Sequence, residues 1–194
     1  GKEASGQPFL LANAGENRSR EYRVLKVDGK KGKFLYDLSY GKQVSYADSN
    51  VPNADYRDIQ FGYDFGPVLV KIQQETLDQD FQTPLATLHA FNGWADRFLV
   101  TPTGGLVDTN IKLSGKAAGL GLSLAVHQFD AESGGKTFGR EIDASVTKTF
   151  TPNWSAMVKV AQYDGSGEIT TGTAAAQAYS KDVLKAWAQV EYKF

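Results

Sequence analysis

The stretch Val183–Phe194, VLKAWAQVEYKF, sorts into two faces. Leu184, Ala186, Ala188, Val190, Tyr192 and Phe194 share one parity; Lys185, Trp187, Gln189, Glu191 and Lys193 share the other. Successive side chains of a strand point to opposite faces, whereas a helix repeats every 3.6 residues, so the segment reads as a strand with one greasy and one polar side. The other segments are read against this pattern.

The chain has 194 residues, a formal net charge of −1, no cysteine, 20 glycines and 6 prolines, which suits one large β domain. A charge so near zero gives no general attraction to nucleic acid, and the absence of cysteine excludes a disulfide framework, a thiolate nucleophile and a Cys-based zinc site. No stretch approaches the roughly 20 apolar residues of a membrane-spanning helix, and the opening GKEASGQPF has no apolar signal-peptide core. A strand-built span stays open, because it needs only about 9–11 residues with apolar groups at alternate positions.

Ten strand-like runs are expected: Pro8–Ala14, Glu21–Val27, Lys33–Ala47, Tyr56–Phe65, Val68–Leu77, Leu106–Gly115, Gly119–Phe129, Arg140–Phe150, Asn153–Asp164 and Val183–Phe194. The connectors GKKGK, GP, GKAAG and TPN carry the residues that tight turns demand. Longer connectors alternate with them: DSNVPNAD, the segment Gln79–Gly105, DAESGGKTFG and GSGEITTGTAAAQAYSKD. Such a rhythm belongs to an antiparallel meander with two unlike ends.

Parity divides most runs in the same way. Phe34, Tyr36, Leu38 and Tyr40 oppose Leu35, Asp37, Ser39 and Gly41, and Ile59, Phe61, Tyr63 and Phe65 oppose Asp58, Gln60, Gly62 and Asp64. Likewise Val107, Thr109, Ile111 and Leu113 oppose Asp108, Asn110, Lys112 and Ser114, and Leu120, Leu122, Leu124 and Val126 oppose Gly121, Ser123, Ala125 and His127. The polar set is too small and hydrophilic for a dry core, and aromatic residues gather near strand ends on the apolar side, where interfacial girdles lie. Glu21–Val27 and Asn153–Asp164 alternate less cleanly, and their faces are left open. The expected fold is therefore all-β: an antiparallel transmembrane β-barrel of about ten strands, an up-and-down meander with short periplasmic turns and long extracellular loops. It forms a single domain over 1–194, with the loop 79–105 set apart.

The run FQTPLATLHAFNGWADRFLVTPTGGLVDTNIKLSGKAAGLGLSLAVHQFDAESGGKTFGREIDASVTKTF resembles the alginate-export family of outer-membrane porins. The likeness lies in the TPLATLHAFNGWAD loop, the TP-x-GGL-x-D start of a strand and a GG hairpin with an acidic loop, and it runs from about Tyr56 to Phe194. Members of that family are longer, so the chain corresponds to the C-terminal part of a larger barrel or to a shortened relative. The resemblance implies a Gram-negative outer membrane and a channel for small hydrophilic solutes or saccharides. The alternative function is a non-conducting structural or adhesive barrel whose loops bind a surface partner. Its implied partners are the bilayer, lipopolysaccharide, the solute and the barrel-assembly machinery, which reads a terminal signal matched here by Val190, Tyr192 and Phe194; no nucleic acid is implied.

On this reading the pore-lining candidates are Asp58, Asp64, Lys71, Asp108, Lys112, Glu141, Asp143, Lys185 and Glu191, with Asp96 and Arg97 from the loop. That loop also holds Phe81, Leu85, Leu88, Phe91, Trp94, Phe98 and Leu99, too apolar to stand in water, and Leu85, Leu88 and Trp94 are spaced loosely like one face of a short helix. It is expected either to fold into the barrel mouth as a constriction or to form an external cap or subunit contact.

Enzymatic chemistry is not expected. ESGGKTFG lacks a phosphate loop's first glycine, since Asp130 stands there. His89 and His127 are the only histidines and form no H-x-x-x-H pair, which leaves zinc without a ligand set. Asp130 with Glu132 and Asp164 with Glu168 place carboxylates at loop rims where Ca²⁺ could bind through oxygen, but neither fits the twelve-residue calcium loop. Solvated acidic loops are preferred, and no cofactor is expected.

Overall fold

A computed structural model describes residues 18–83, 91–169 and 177–194. Nine strands follow one another: β1 (Arg20–Lys31), β2 (Phe34–Ser45), β3 (Ala54–Asp64), β4 (Val68–Leu77), β5 (Leu106–Ala117), β6 (Leu120–Asp130), β7 (Thr137–Thr149), β8 (Trp154–Gly165) and β9 (Val183–Tyr192). Each pairs antiparallel with the next, giving a single up-and-down sheet in chain order. The sheet is not closed: among the described residues β1 and β9 each have one neighbouring strand. The expected strand Pro8–Ala14 lies outside the described residues, as do His89, Leu85 and Leu88. No helix among the described residues is long and apolar enough to cross a membrane, which says nothing of a span built from strands.

The tight turns all lie at one end of the sheet and the long connections at the other. Ala118 and Gly119 join β5 to β6 with positive φ at both positions, the geometry whose twist matches a two-residue hairpin. The β1–β2 hairpin runs further than expected: pairing continues to Lys31↔Phe34, so GKKGK is mostly strand and only residues 32–33 turn. Gly29 permits this, because the Tyr36 ring lies over it and a β-carbon there would come within 2.6 Å of the Tyr36 hydroxyl.

Register aligns the parities of neighbouring strands into continuous faces. Leu38↔Ile59, Phe61↔Ile72↔Ile111↔Val126↔Ile142 runs as an apolar row along one side, and its members are exposed or half-buried. On the opposite side Gln73↔Asn110↔His127↔Glu141↔Tyr163 forms a polar row, and Asn110, His127 and Glu141 are buried. β8 follows the same rule, with Trp154, Val158 and Val160 on the apolar side and Met157, Lys159, Ala161 and Tyr163 on the polar side. The distribution inverts that of a water-soluble core, where apolar groups are inside and polar groups out. We call the polar side inward and the apolar side outward.

The buried apolar groups form one cluster at the long-connection end of the inward side: Leu77, Phe81, Ala95, Phe98, Leu106, Phe129, Phe138, Ala161 and Tyr163, with Ala54. A bulge contributes one of them. Phe129 pairs with Gly139 and Asp130 with Thr137, leaving Phe138 as the extra residue, and its buried ring packs on Phe98 and Tyr179.

Candidate functional site

The site is made where the β4–β5 connection returns onto the inward side. Its root is held by Gln43, fully buried on β2: the side-chain amide donates to the carbonyls of Pro52 (3.0 Å) and Asp80 (2.9 Å) and accepts from the Gln82 N–H (3.0 Å). Phe81 then stacks on Tyr56 of β3, with centroids 5.3 Å apart.

Residues 91–100 form a strap across the strands. Asn92 Nδ2 donates to Glu75 Oε2 on β4 (2.7 Å), and Glu75 Oε1 accepts from the Tyr56 hydroxyl (2.8 Å). The Trp94 N–H donates to Asp143 Oδ2 (3.1 Å) and the Ala95 N–H to Glu141 Oε1 (2.7 Å), both on β7. Asp96 Oδ2 accepts from Lys185 Nζ on β9 (2.8 Å). The strap thus spans from β4 to β9 across the inward side.

Its backbone explains these contacts and corrects one expectation. Trp94 does not stand on a helix; Asn92, Gly93 and Asp96 all have positive φ, which a right-handed helix cannot contain. The turn at Asn92 and Gly93 presents the next two N–H groups, of Trp94 and Ala95, to the same side, and the two wall carboxylates accept from them. Gly93 has φ +84° and a β-carbon there would lie 2.5 Å from Glu141 Oε2, so both conformation and space require glycine.

Beyond Asp96 the strap turns apolar. Phe98 packs against Phe129 (4.5 Å between centroids), Phe138 (5.6 Å) and Tyr163 (6.0 Å), and stacks on Tyr179 (5.3 Å). The Arg97 guanidinium carbon lies 5.5 Å from the Tyr163 ring centroid, a cation–π contact. Burial pushes the Tyr179 hydroxyl above the usual phenol range, while nearby Arg97 acts in the opposite direction. Lys159 Nζ sits between two indoles, 4.9 Å from Trp94 and 4.5 Å from Trp187.

Below this aromatic block, ionisable side chains are closely grouped and shielded from solvent. His127 Nδ1 is 2.9 Å from Asp108 Oδ1, and His127 Nε2 is 3.8 Å from Asp143 Oδ2. Asp108, His127, Glu141 and Asp143 are all buried, so their charge has to be balanced by hydrogen bonds, protons or counter-charge. Among the described residues Asn110 Nδ2 and Oδ1 are buried without a hydrogen-bond partner, whereas the Glu141 and Asp143 carboxyls are side-chain hydrogen-bond partners of each other.

The sequence-derived candidates divide accordingly. Asp96, Arg97, Glu141, Asp143 and Lys185 meet at the strap, and Asp108 lies behind them, linked to Asp143 through His127. Asp58 accepts from Gln73 (2.8 Å), and Lys71 and Lys112 are cross-strand partners further down the wall. Asp64 pairs with Lys30 at the tight-turn end (3.1 Å), and Glu191 contacts only its neighbour Lys193 (3.4 Å) among the described residues, so neither joins the group. Val190, Tyr192 and Phe194 are exposed, and Val190 and Tyr192 face outward on β9 with Trp154 against Tyr192. Glu75, Asn92, Gln43 and Tyr163 were not singled out from sequence; Glu75 shares parity with Lys71 and Gln73, and that was the available signal.

The acidic loop residues are already engaged: Asp130 Oδ1 accepts from the Thr137 hydroxyl (2.8 Å), Glu168 from the Thr137 N–H (2.8 Å) and Glu132 lies 3.8 Å from Arg57. No group of His, Asp and Glu among the described residues is arranged to hold a metal ion. No family model matches the chain, and no curated protein matches its sequence.

Proposed function

We propose that this protein is a β-barrel of the Gram-negative outer membrane that passes small hydrophilic solutes through a wet interior, with the strap as its constriction. The observation that carries the reading is the inversion of polarity: Leu, Ile, Val and aromatic side chains stand exposed outward while Glu75, Asp108, Asn110, His127, Glu141 and Asp143 are buried inward. A protein surrounded by water gains by burying the first set and solvating the second, whereas a lipid-facing barrel requires the opposite. Aromatic residues at strand ends, including Trp154, Tyr192 and Phe150, supply the amphipathic girdle of such a barrel. The resemblance of the strap region to alginate-export porins points the same way. Discrimination would come from the width left by the strap and the charges beside it, without chemical turnover.

A specific observation favours a second reading, a non-conducting anchor whose loops hold a surface partner: Phe98 and its aromatic neighbours fill the inward side at the long-connection end. Planar-bilayer recording of the detergent-folded protein separates the two. A pore gives discrete ohmic steps that grow when residues 92–98 are replaced by a short Gly-Ser link. Persistent silence in both forms favours the anchor. A chain that stays monodisperse without detergent, and whose gel migration does not change on heating, is not a membrane barrel at all.

A further inference from the structure

Glu141 and Asp143 stand two positions apart on the inward side of β7, 0% and 1% exposed. Each gives one oxygen to the strap: Glu141 Oε1 accepts from the Ala95 N–H (2.7 Å) and Asp143 Oδ2 from the Trp94 N–H (3.1 Å). Their carboxyls are also hydrogen-bonded to each other. An ionised carboxylate only accepts, so this bond exists only while one of the two carries a proton. Two carboxyls sharing a buried site do not both ionise readily. The pair therefore holds one proton and one negative charge directly under the strap.

Among the described residues the cations around the pair are already engaged. On β6, His127 Nε2 lies 3.8 Å from Asp143, but its Nδ1 is held by Asp108 of β5. Lys112, also on β5, acts on both Asp143 and Asp58, and its ammonium donates to Gln73 (3.2 Å). On β9 Lys185 is bound to Asp96 of the strap, and on β8 Lys159 lies between the Trp94 and Trp187 indoles. Arg97 of the strap is laid on the ring of Tyr163, whose hydroxyl is directed at the Phe138 and Tyr179 carbonyls. Glu75 of β4, bound to Asn92, is itself an acid. A second charge on the pair is therefore poorly compensated while the strap is down.

We propose that Glu141 and Asp143 form a proton-dependent latch: the shared proton holds the strap down on β7, and its loss as pH rises releases residues 92–98 from the inward side. Once released, both carboxyls meet water and ionise in the ordinary range of about pH 4, so closing takes up a proton. Release is favoured as pH rises above that range, with up to roughly tenfold more open strap per pH unit for one proton. Lys112 and a charged His127 favour the ionised pair, which narrows the window without reversing its direction. Loss of a proton from His127 removes that help, so its part has to be separated by substitution. The latch belongs to the strap and β7 and does not require conduction.

Hydrogen exchange of the detergent-folded protein from about pH 5 to about pH 9 tests it, each rate divided by that of an unstructured chain at the same pH. Protection at residues 94–96 falls roughly tenfold or more across the range, while Leu113 and Leu124, paired toward the tight turns, keep theirs. Glu141→Gln keeps an acceptor for the Ala95 N–H and gives Asp143 a permanent donor, so its strap stays protected throughout. His127→Gln keeps the pH dependence. A flat profile in the parent protein overturns the proposal, and so does a pH dependence that survives in Glu141→Gln or vanishes in His127→Gln. Should the Gln variants not fold, infrared spectra of the parent decide: a buried protonated-carboxyl band at neutral pH that fades as the strap releases supports the latch, and its absence overturns it. A silent bilayer with a releasing strap sinks the pore reading and leaves the latch standing.

Discussion

The inward side has two halves built from the same strands by the same alternation, yet they differ in almost every property. Toward the long connections Glu75, Asp108, His127, Glu141 and Asp143 are buried and bound by backbone and side chains of the protein. Toward the tight turns Asp37, Gln60, Ser123 and Thr147 are equally polar but remain partly open and Ser114 is exposed, with contacts such as Ser123 to Ser145 (2.6 Å) between neighbouring strands. The strands decide which side is polar; a connection decides whether that side is dry. What makes the covered half distinct is ten residues of irregular chain.

The largest test of that contrast removes the ring that closes the covered half. Phe98→Ala should cost about 3–5 kcal/mol, since its ring touches Phe129, Phe138, Tyr163 and Tyr179. Denaturant unfolding in detergent or lipid measures it, and a loss under about 1 kcal/mol would mean that the strap is not packed as described. Next, Ile142→Lys places a charge in the middle of the outward row. In lipid the cost is about 2–4 kcal/mol, whereas on a water-facing side it stays within about 0.5 kcal/mol, so the same measurement in liposomes tells which medium meets that row.

Glu141→Ala leaves the Ala95 N–H without an acceptor in a buried place, a loss of about 1–3 kcal/mol. Hydrogen exchange should rise at residues 94–96 and stay unchanged at the tight turns; a uniform rise would show that the two halves unfold as one. The smallest effect belongs to Lys185→Ala. Its partner Asp96 is 2.8 Å away and the pair is partly solvated, so about 0–1 kcal/mol is expected, with strap exchange increasing only slightly.

The outward row was legible because a period of two needs no knowledge of partners: Phe34 to Tyr40, Ile59 to Tyr63 and Leu120 to Val126 declare their faces alone. β8 did not, and the reason is the strap. Ala161 and Tyr163 are apolar or aromatic on the inward side because Phe98 covers that region, a contact between residues 65 positions apart that no local pattern encodes. The sequence pattern leaves Phe138 in the connector DAESGGKTFG, because a bulge is defined only against its partner strand. The candidate site was half visible. Charged residues of inward parity could be named, but the choice between Asp143, bound to the strap, and Asp64, left at a turn, depends on where residues 91–100 land. The helix-like spacing fails at Trp94, because Asn92, Gly93 and Asp96 take left-handed conformations and the Trp94 and Ala95 N–H groups turn to the wall; Leu85 and Leu88 lie outside the described residues.

The open borders of the sheet carry an arithmetic consequence. With every pairing antiparallel, the first and ninth strands ascend in the same sense. Joining them directly would create a lone parallel seam in an otherwise antiparallel cylinder. Any complement that keeps the pattern has to insert an odd number of descending and ascending members between Tyr192 and Arg20. The finished staves then come to an even total, whichever polypeptide furnishes them.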